Sequence, residues 1–180
     1  MPKVRQSPKR VGAADARSRK RDQVDRIIAG WAREWPALDT SPAAVVGRVA
    51  RLTRFFDAGL TRTFKRFGLT RADFDVLAAL RRSGRPYRLP QKALMHELMR
   101  QSGTMSSRVD RLERAGLVRR SPDLRDKRGA LVTLTEKGRR RFEAAAPAHL
   151  ANENRMLAAL SRRERDLLIS LLRRLLLSLE

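Results

Sequence analysis

The stretch Ser102-Gly103-Thr104-Met105-Ser106-Ser107-Arg108-Val109-Asp110-Arg111-Leu112-Glu113-Arg114-Ala115-Gly116-Leu117-Val118, with Pro122-Asp123-Leu124-Arg125-Asp126-Lys127-Arg128-Gly129 just after it, decides the fold. Met105, Val109 and Leu112 recur at helical spacing, Ser102 opens the segment and Gly116 closes it. The period then changes. Leu117 to Ser121 and Ala130 to Leu134 are short strand-like runs, and the charged segment from Pro122 to Gly129 joins them, which predicts a β-hairpin.

Working outward, the spacing predicts a helix from Pro90 to Met99, with Leu94 and Leu98 one turn apart and no good capping side chain before it. Ahead of that, Thr70 caps a helix with Asp73 as its capping-box partner, Phe74, Leu77 and Leu80 face inward, and Gly84 stops the helix near Arg82. A long helix is expected from Ser41, as cap, and Pro42, in the first turn, to about Phe67. Its apolar stripe is Val45, Val49, Leu52, Phe56, Leu60 and Phe64. A shorter amphipathic helix over Gln23 to Glu34 carries Val24, Ile27, Ile28 and Trp31. On the other side, Thr135 caps a helix that Pro147 should kink, and Ser161 with Glu164 forms a capping box for the last one. There Leu167, Leu168, Leu171, Leu172, Leu175, Leu176 and Leu179 form a band too wide for a monomer surface, open to two readings: ordinary core or subunit seam.

Two short helices followed at once by a basic hairpin is the order of a winged helix-turn-helix, whose second helix enters the major groove. The expected fold is mainly α with a small β-hairpin. The polar face of the second helix is Ser102, Thr104, Ser106, Ser107, Arg108 and Arg111. Small hydroxyl residues permit close approach, and arginine reaches phosphates or the guanine edge. Between Arg100 and Arg128 nine basic residues stand against four acidic ones, a net +5. Solvated faces of an ordinary small domain would look similar by charge alone; the agreement of helix polarity, hairpin chemistry and overall charge points to nucleic acid.

The whole chain of 180 residues carries 41 Lys and Arg against 19 Asp and Glu, a formal +22. Such a surface favours a polyanion. No run approaches the roughly 18 apolar residues of a spanning helix, and Met1 to Arg21 is polar with eight basic side chains against Asp15, so a cytoplasmic, nucleoid-associated protein is expected. Residues 1–21 read as a disordered basic arm, either for nucleic acid or for solubility. With no cysteine, disulfides, thiolate metal sites and thiol catalysis are excluded, and only His96 and His149 could supply imidazole. No Ser/His/Asp set, glycine-rich phosphate loop or paired-carboxylate cleft is visible, so neither an enzyme nor a cofactor or metal is expected.

The run Ser102 to Val118 resembles the recognition helix of MarR-type (multiple antibiotic resistance) regulators. Pro122 to Gly129, followed by Leu134-Thr135-Glu136-Lys137-Gly138, is similar to that family's wing and the start of its next helix. The resemblance extends over roughly Val24 to Glu180. It implies a homodimer on a palindromic operator, with dimerisation helices over 22–67 and 135–180 flanking a DNA-binding domain over 68–134. It also implies that Arg125, Lys127 and Arg128 reach the minor groove, Lys127 standing where the family commonly has the planar fork of an arginine. The extra first helix with Trp31 is similar to a subgroup that includes urate-responsive regulators, in which a tryptophan, an aspartate and two arginines serve the ligand response. The matching residues are Trp31, Asp75, Arg108 and Arg120. A repressor released by a small organic anion, urate-like or carboxylic, is the implied function. The alternative from charge alone is a ligand-independent architectural DNA-binding protein.

Overall fold

The computed structural model describes residues 21–98, 102–124 and 126–180; the basic arm, all but Arg21, lies outside the described residues. The chain forms two compact units, one ending at Phe55 and one starting at Phe56.

The first unit holds α1 (Gln23–Glu34) and most of α2 (Ser41–Lys65), a helix that runs on into the second unit. α1 opens with a reciprocal cap between Asp22 and Asp25, each carboxylate accepting the other's amide at 2.9 Å. Arg48 on α2 grips both carboxylates, at 2.9 Å and 2.5 Å. The Asp25 amide and this guanidinium hold the Asp22 carboxyl below the usual range. Val24 is buried, while Ile27, Trp31, Trp35, Val45, Val49, Leu52 and Phe55 stay exposed. Ser41, expected as the cap of α2, is instead its first residue: its amide and hydroxyl both donate to the Asp39 carboxylate, at 2.9 Å and 3.0 Å. A charged acceptor two residues upstream takes the donors that a neutral hydroxyl would otherwise keep free.

The second unit contains the end of α2, then α3 (Arg71–Arg82), β1 (Arg88–Pro90), α4 (Gln91–Glu97), α5 (Ser102–Arg114), β2 (Val118–Asp123), β3 (Asp126–Leu134), α6 (Glu136–Met156) and α7 (Arg162–Leu177). The three strands form one antiparallel sheet in the order β1-β3-β2. Phe64, Phe74, Leu77, Leu80, Leu94, Met105, Val109, Leu112, Val118 and Val132 make its core. Phe64 stacks on Phe74 with ring centroids 4.5 Å apart, and Phe142 lies 5.1 Å from Phe74 on the other side.

Caps legible in the sequence hold here. Thr70 with Asp73 starts α3, Thr135 accepts from the Gly138 amide to start α6, and Ser161 with Glu164 starts α7. Gly84 and Gly116 take φ of +76° and +70°, the left-handed region that ends helices at glycine. Three expectations need correction. The strand β1 was not read from the sequence; its Leu89 pairs with Val132 across the sheet, and three residues ending in proline carry no readable period. The hairpin is longer than expected, because β2 reaches Asp123 and β3 begins at Asp126, so most of the presumed loop is strand, with a register shift at Pro122/Asp123. Helix α4 starts at Gln91 with Pro90 before it rather than inside it, and ends at Glu97, while Met99 lies outside the described residues. Pro147 sits inside α6, which runs to Met156.

No residue of α7 is buried. Its leucines, Leu167 to Leu177, form an exposed face. Among the described residues no helix is long and apolar enough to cross a membrane.

Candidate nucleic-acid interface

Helix α5 turns Met105, Val109 and Leu112 into the core, each no more than 2% exposed. That spacing forces Ser107 and Arg111 to the outer side, and both are exposed. Arg108 and Ser106 are half-buried at the margin of the same face. Ser106 Oγ accepts from Gln91 Nε2 at 2.9 Å, which ties α5 to the start of α4. The backbones of Ser102 and Thr104 belong to α5 and those of Lys127 and Arg128 to β3, while their side chains, and all of Arg125, lie outside the described residues. At the hairpin tip Leu124 is almost fully exposed.

Two ion-pair clusters fix the pose of α5, and both use arginines that sequence reasoning assigned elsewhere. Arg111, expected as a DNA contact, pairs through Nη2 with the Asp73 carboxylate and lies 3.2 Å from the Thr70 hydroxyl. The Asp73 side chain is only 4% exposed, and it also accepts from the Thr70 amide and hydroxyl at 2.8 Å. The capping box of α3 is thereby a docking point for α5. Removing the cation leaves a buried carboxylate short of a partner, so Arg111→Ala is expected to destabilise the unit by about 2 kcal/mol. Urea denaturation reads this directly, and an unchanged midpoint would make Arg111 an ordinary surface arginine.

Arg120, matched above to a ligand residue, lies on β2 and pairs with Asp110 and, at 3.1 Å, with Glu113, both on α5. Its backbone amide donates to the other Glu113 oxygen at 2.7 Å. The base of the hairpin and α5 are therefore joined by charge as well as by packing. Sequence reasoning counted Asp110 and Glu113 only as subtractions from a positive total. Their spacing of three, on one side of a helix that precedes a basic strand, is the signal that would have found them. Of the remaining ligand candidates, Asp75 is half-buried on α3, and Trp31 is 49% exposed in the first unit.

A helix with a small polar outer face, held on a three-helix core and followed by a basic antiparallel hairpin, defines a winged helix-turn-helix DNA-binding protein. Residues 67–129 match the MarR family model. The transcriptional regulator PecS of Dickeya dadantii is 36% identical over 152 residues, spanning 84% of this chain and 92% of PecS. The chain belongs to the MarR family of transcriptional regulators. Among solved structures it is similar to a mutant MarR of Escherichia coli complexed with operator DNA, at 25% identity and TM-score 0.68, with 78% of this chain and 99% of that one covered. It is also similar to BpsR of Bordetella bronchiseptica, whose DNA binding is regulated by 6-hydroxynicotinic acid, at 28% identity and TM-score 0.65, covering 73% and 97%. The relatives are transcriptional regulators, not enzymes, and MarR and BpsR bind DNA.

Proposed function

We propose that the chain is a homodimeric repressor that grips a palindromic operator and lets go when a small organic anion binds. The observation that carries this reading is the pairing of Arg120 with Asp110 and Glu113. A clamp made of charge between hairpin and recognition helix is open to competition by another anion, and its opening would change the pose of both DNA-facing elements. Regulation of BpsR by an aromatic acid supports an effector of that chemistry. In this reading Ser102, Thr104, Ser106, Ser107 and Arg108 face the major groove and Arg125, Lys127 and Arg128 the minor groove. Arg111 contributes mainly by holding the helix, and Trp31, Asp75, Arg108 and Arg120 are the effector candidates. Subunit joining falls to the helices of 22–67 and 135–180, where the leucine face of α7 lacks cover among the described residues.

Gel shift of the promoter adjoining its own gene, titrated with urate, aromatic carboxylates and tricarboxylates, tests the reading. One of these anions is expected to weaken operator binding at least tenfold, a coupling of about 1.4 kcal/mol. Arg120→Ala should bind DNA less well and lose that response. A full response in the variant removes Arg120 from the effector mechanism, and no response to any organic anion leaves the ligand-independent reading, which the +22 charge would then carry alone.

A further inference from the structure

A cleft of about 570 Å³ opens on the second unit between the turn that ends α2 and the first turns of α6. Arg66, Lys137, Arg140 and Arg141 line it, and no carboxylate does. Two of these cations are held by backbone. Arg141 Nη1 donates to the Phe67 carbonyl at 2.7 Å, and Lys137 Nζ donates to the Ala115 carbonyl at 2.8 Å. Both carbonyls lie at the C-terminal ends of helices, so these side chains are positioned without a carboxylate cancelling their charge. Gly68, at φ +65°, keeps the approach open: a Cβ there would lie 3.2 Å from Arg141 Nη1.

The other two cations have charge to spare. Arg66 meets no carboxylate within ion-pair distance among the described residues. Among the described residues Arg140 approaches one carboxylate, Glu136 at 3.4 Å, which is already gripped by Arg139 at 2.9 Å and 2.7 Å. Four like charges around one cavity repel one another, and the repulsion is relieved in proportion to the negative charge that enters. A single carboxylate would leave the cleft strongly positive. Guanidinium forks match phosphate oxygens two at a time, and the volume lies in the range of about 300 to 1,000 Å³ usual for small-molecule sites.

We propose that this cleft binds a small oligophosphate, a molecule carrying two or more linked phosphate groups, with Phe67 as an apolar wall. None of the residues proposed to read the operator lines it. Lys137 touches the C-terminal end of α5, about 12 Å along the helix axis from Ser107. None of the organic-anion effector candidates lines it, so the two readings stand or fall independently.

Isothermal titration of the full chain with inorganic pyrophosphate, and in parallel with a magnesium-free nucleoside triphosphate, tests the site at about 150 mM salt, with sulfate as the control anion. Saturable binding tighter than that of sulfate is expected, weakened at least about tenfold in Arg66→Ala/Arg140→Ala. Both side chains lie outside the core, and operator affinity by gel shift should stay within about twofold of the parent. Tighter binding of the nucleotide than of pyrophosphate assigns the base to the Phe67 wall, and equal affinity assigns the site to the phosphates alone. The proposal is overturned if pyrophosphate binds no better than sulfate or if the double variant binds it as the parent does. It is likewise overturned if the variant loses operator affinity in step with anion affinity, which would make the cleft a contact for DNA phosphates.

Discussion

Gly138→Ala is expected to destabilise the winged unit by about 3 kcal/mol, although alanine is the better helix former by up to about 1 kcal/mol. Gly138 lies in the first turn of α6, where a Cβ would stand 2.0 Å from the Leu117 carbonyl oxygen and 2.9 Å from Leu134 Cδ1. The first of these neighbours is backbone and cannot rotate away. It is also held from its other side, since the Thr135 amide donates to that same carbonyl at 3.1 Å. Relief requires α6 to move off the junction between α5 and β2, the point that sets the hairpin against the recognition helix. Urea denaturation followed by circular dichroism measures the loss, and operator affinity should fall with it. A variant as stable as the parent would mean that α6 does not dock on Leu117 as described.

The second large effect concerns the proposed subunit seam. Leu171→Glu with Leu175→Glu is expected to raise the dimer dissociation constant by at least about a thousandfold, roughly 4 kcal/mol. These leucines are 45% and 48% exposed within one chain, and no α7 residue is buried there, so the substitutions cost the isolated subunit little. In a paired subunit each would place a carboxylate in an apolar contact and repeat it through the twofold axis. Sedimentation velocity should show a folded monomer. An intact dimer at micromolar concentration would locate the seam elsewhere.

What was legible in the sequence was local. Capping boxes at Thr70/Asp73 and Ser161/Glu164 need only four consecutive residues, and the Met105, Val109, Leu112 period needs only one helix face. What escaped depends on partners far along the chain. Strand β1 exists because Leu89 meets Val132, and a three-residue strand has no pattern of its own. Arg111 sits on the outward side by periodicity, yet its long side chain reaches back to Asp73, a carboxylate 38 residues earlier. The pairing of Arg120 with Asp110 and Glu113 was hidden for a related reason. Charges counted along a chain add up to a field, whereas charges placed in space form specific pairs that neutralise part of it. The free positive charge of α5 and the hairpin base is therefore smaller than their basic content suggested, with Arg111 and Arg120 both engaged by carboxylates.

The most direct test is the affinity for the promoter adjoining its own gene, measured in competition with random DNA at about 150 mM salt. A preference of at least about a thousandfold is expected, reduced at least about tenfold by Arg108→Ala. Equal competition by random DNA would contradict it, leaving a basic chain that holds phosphates without reading bases.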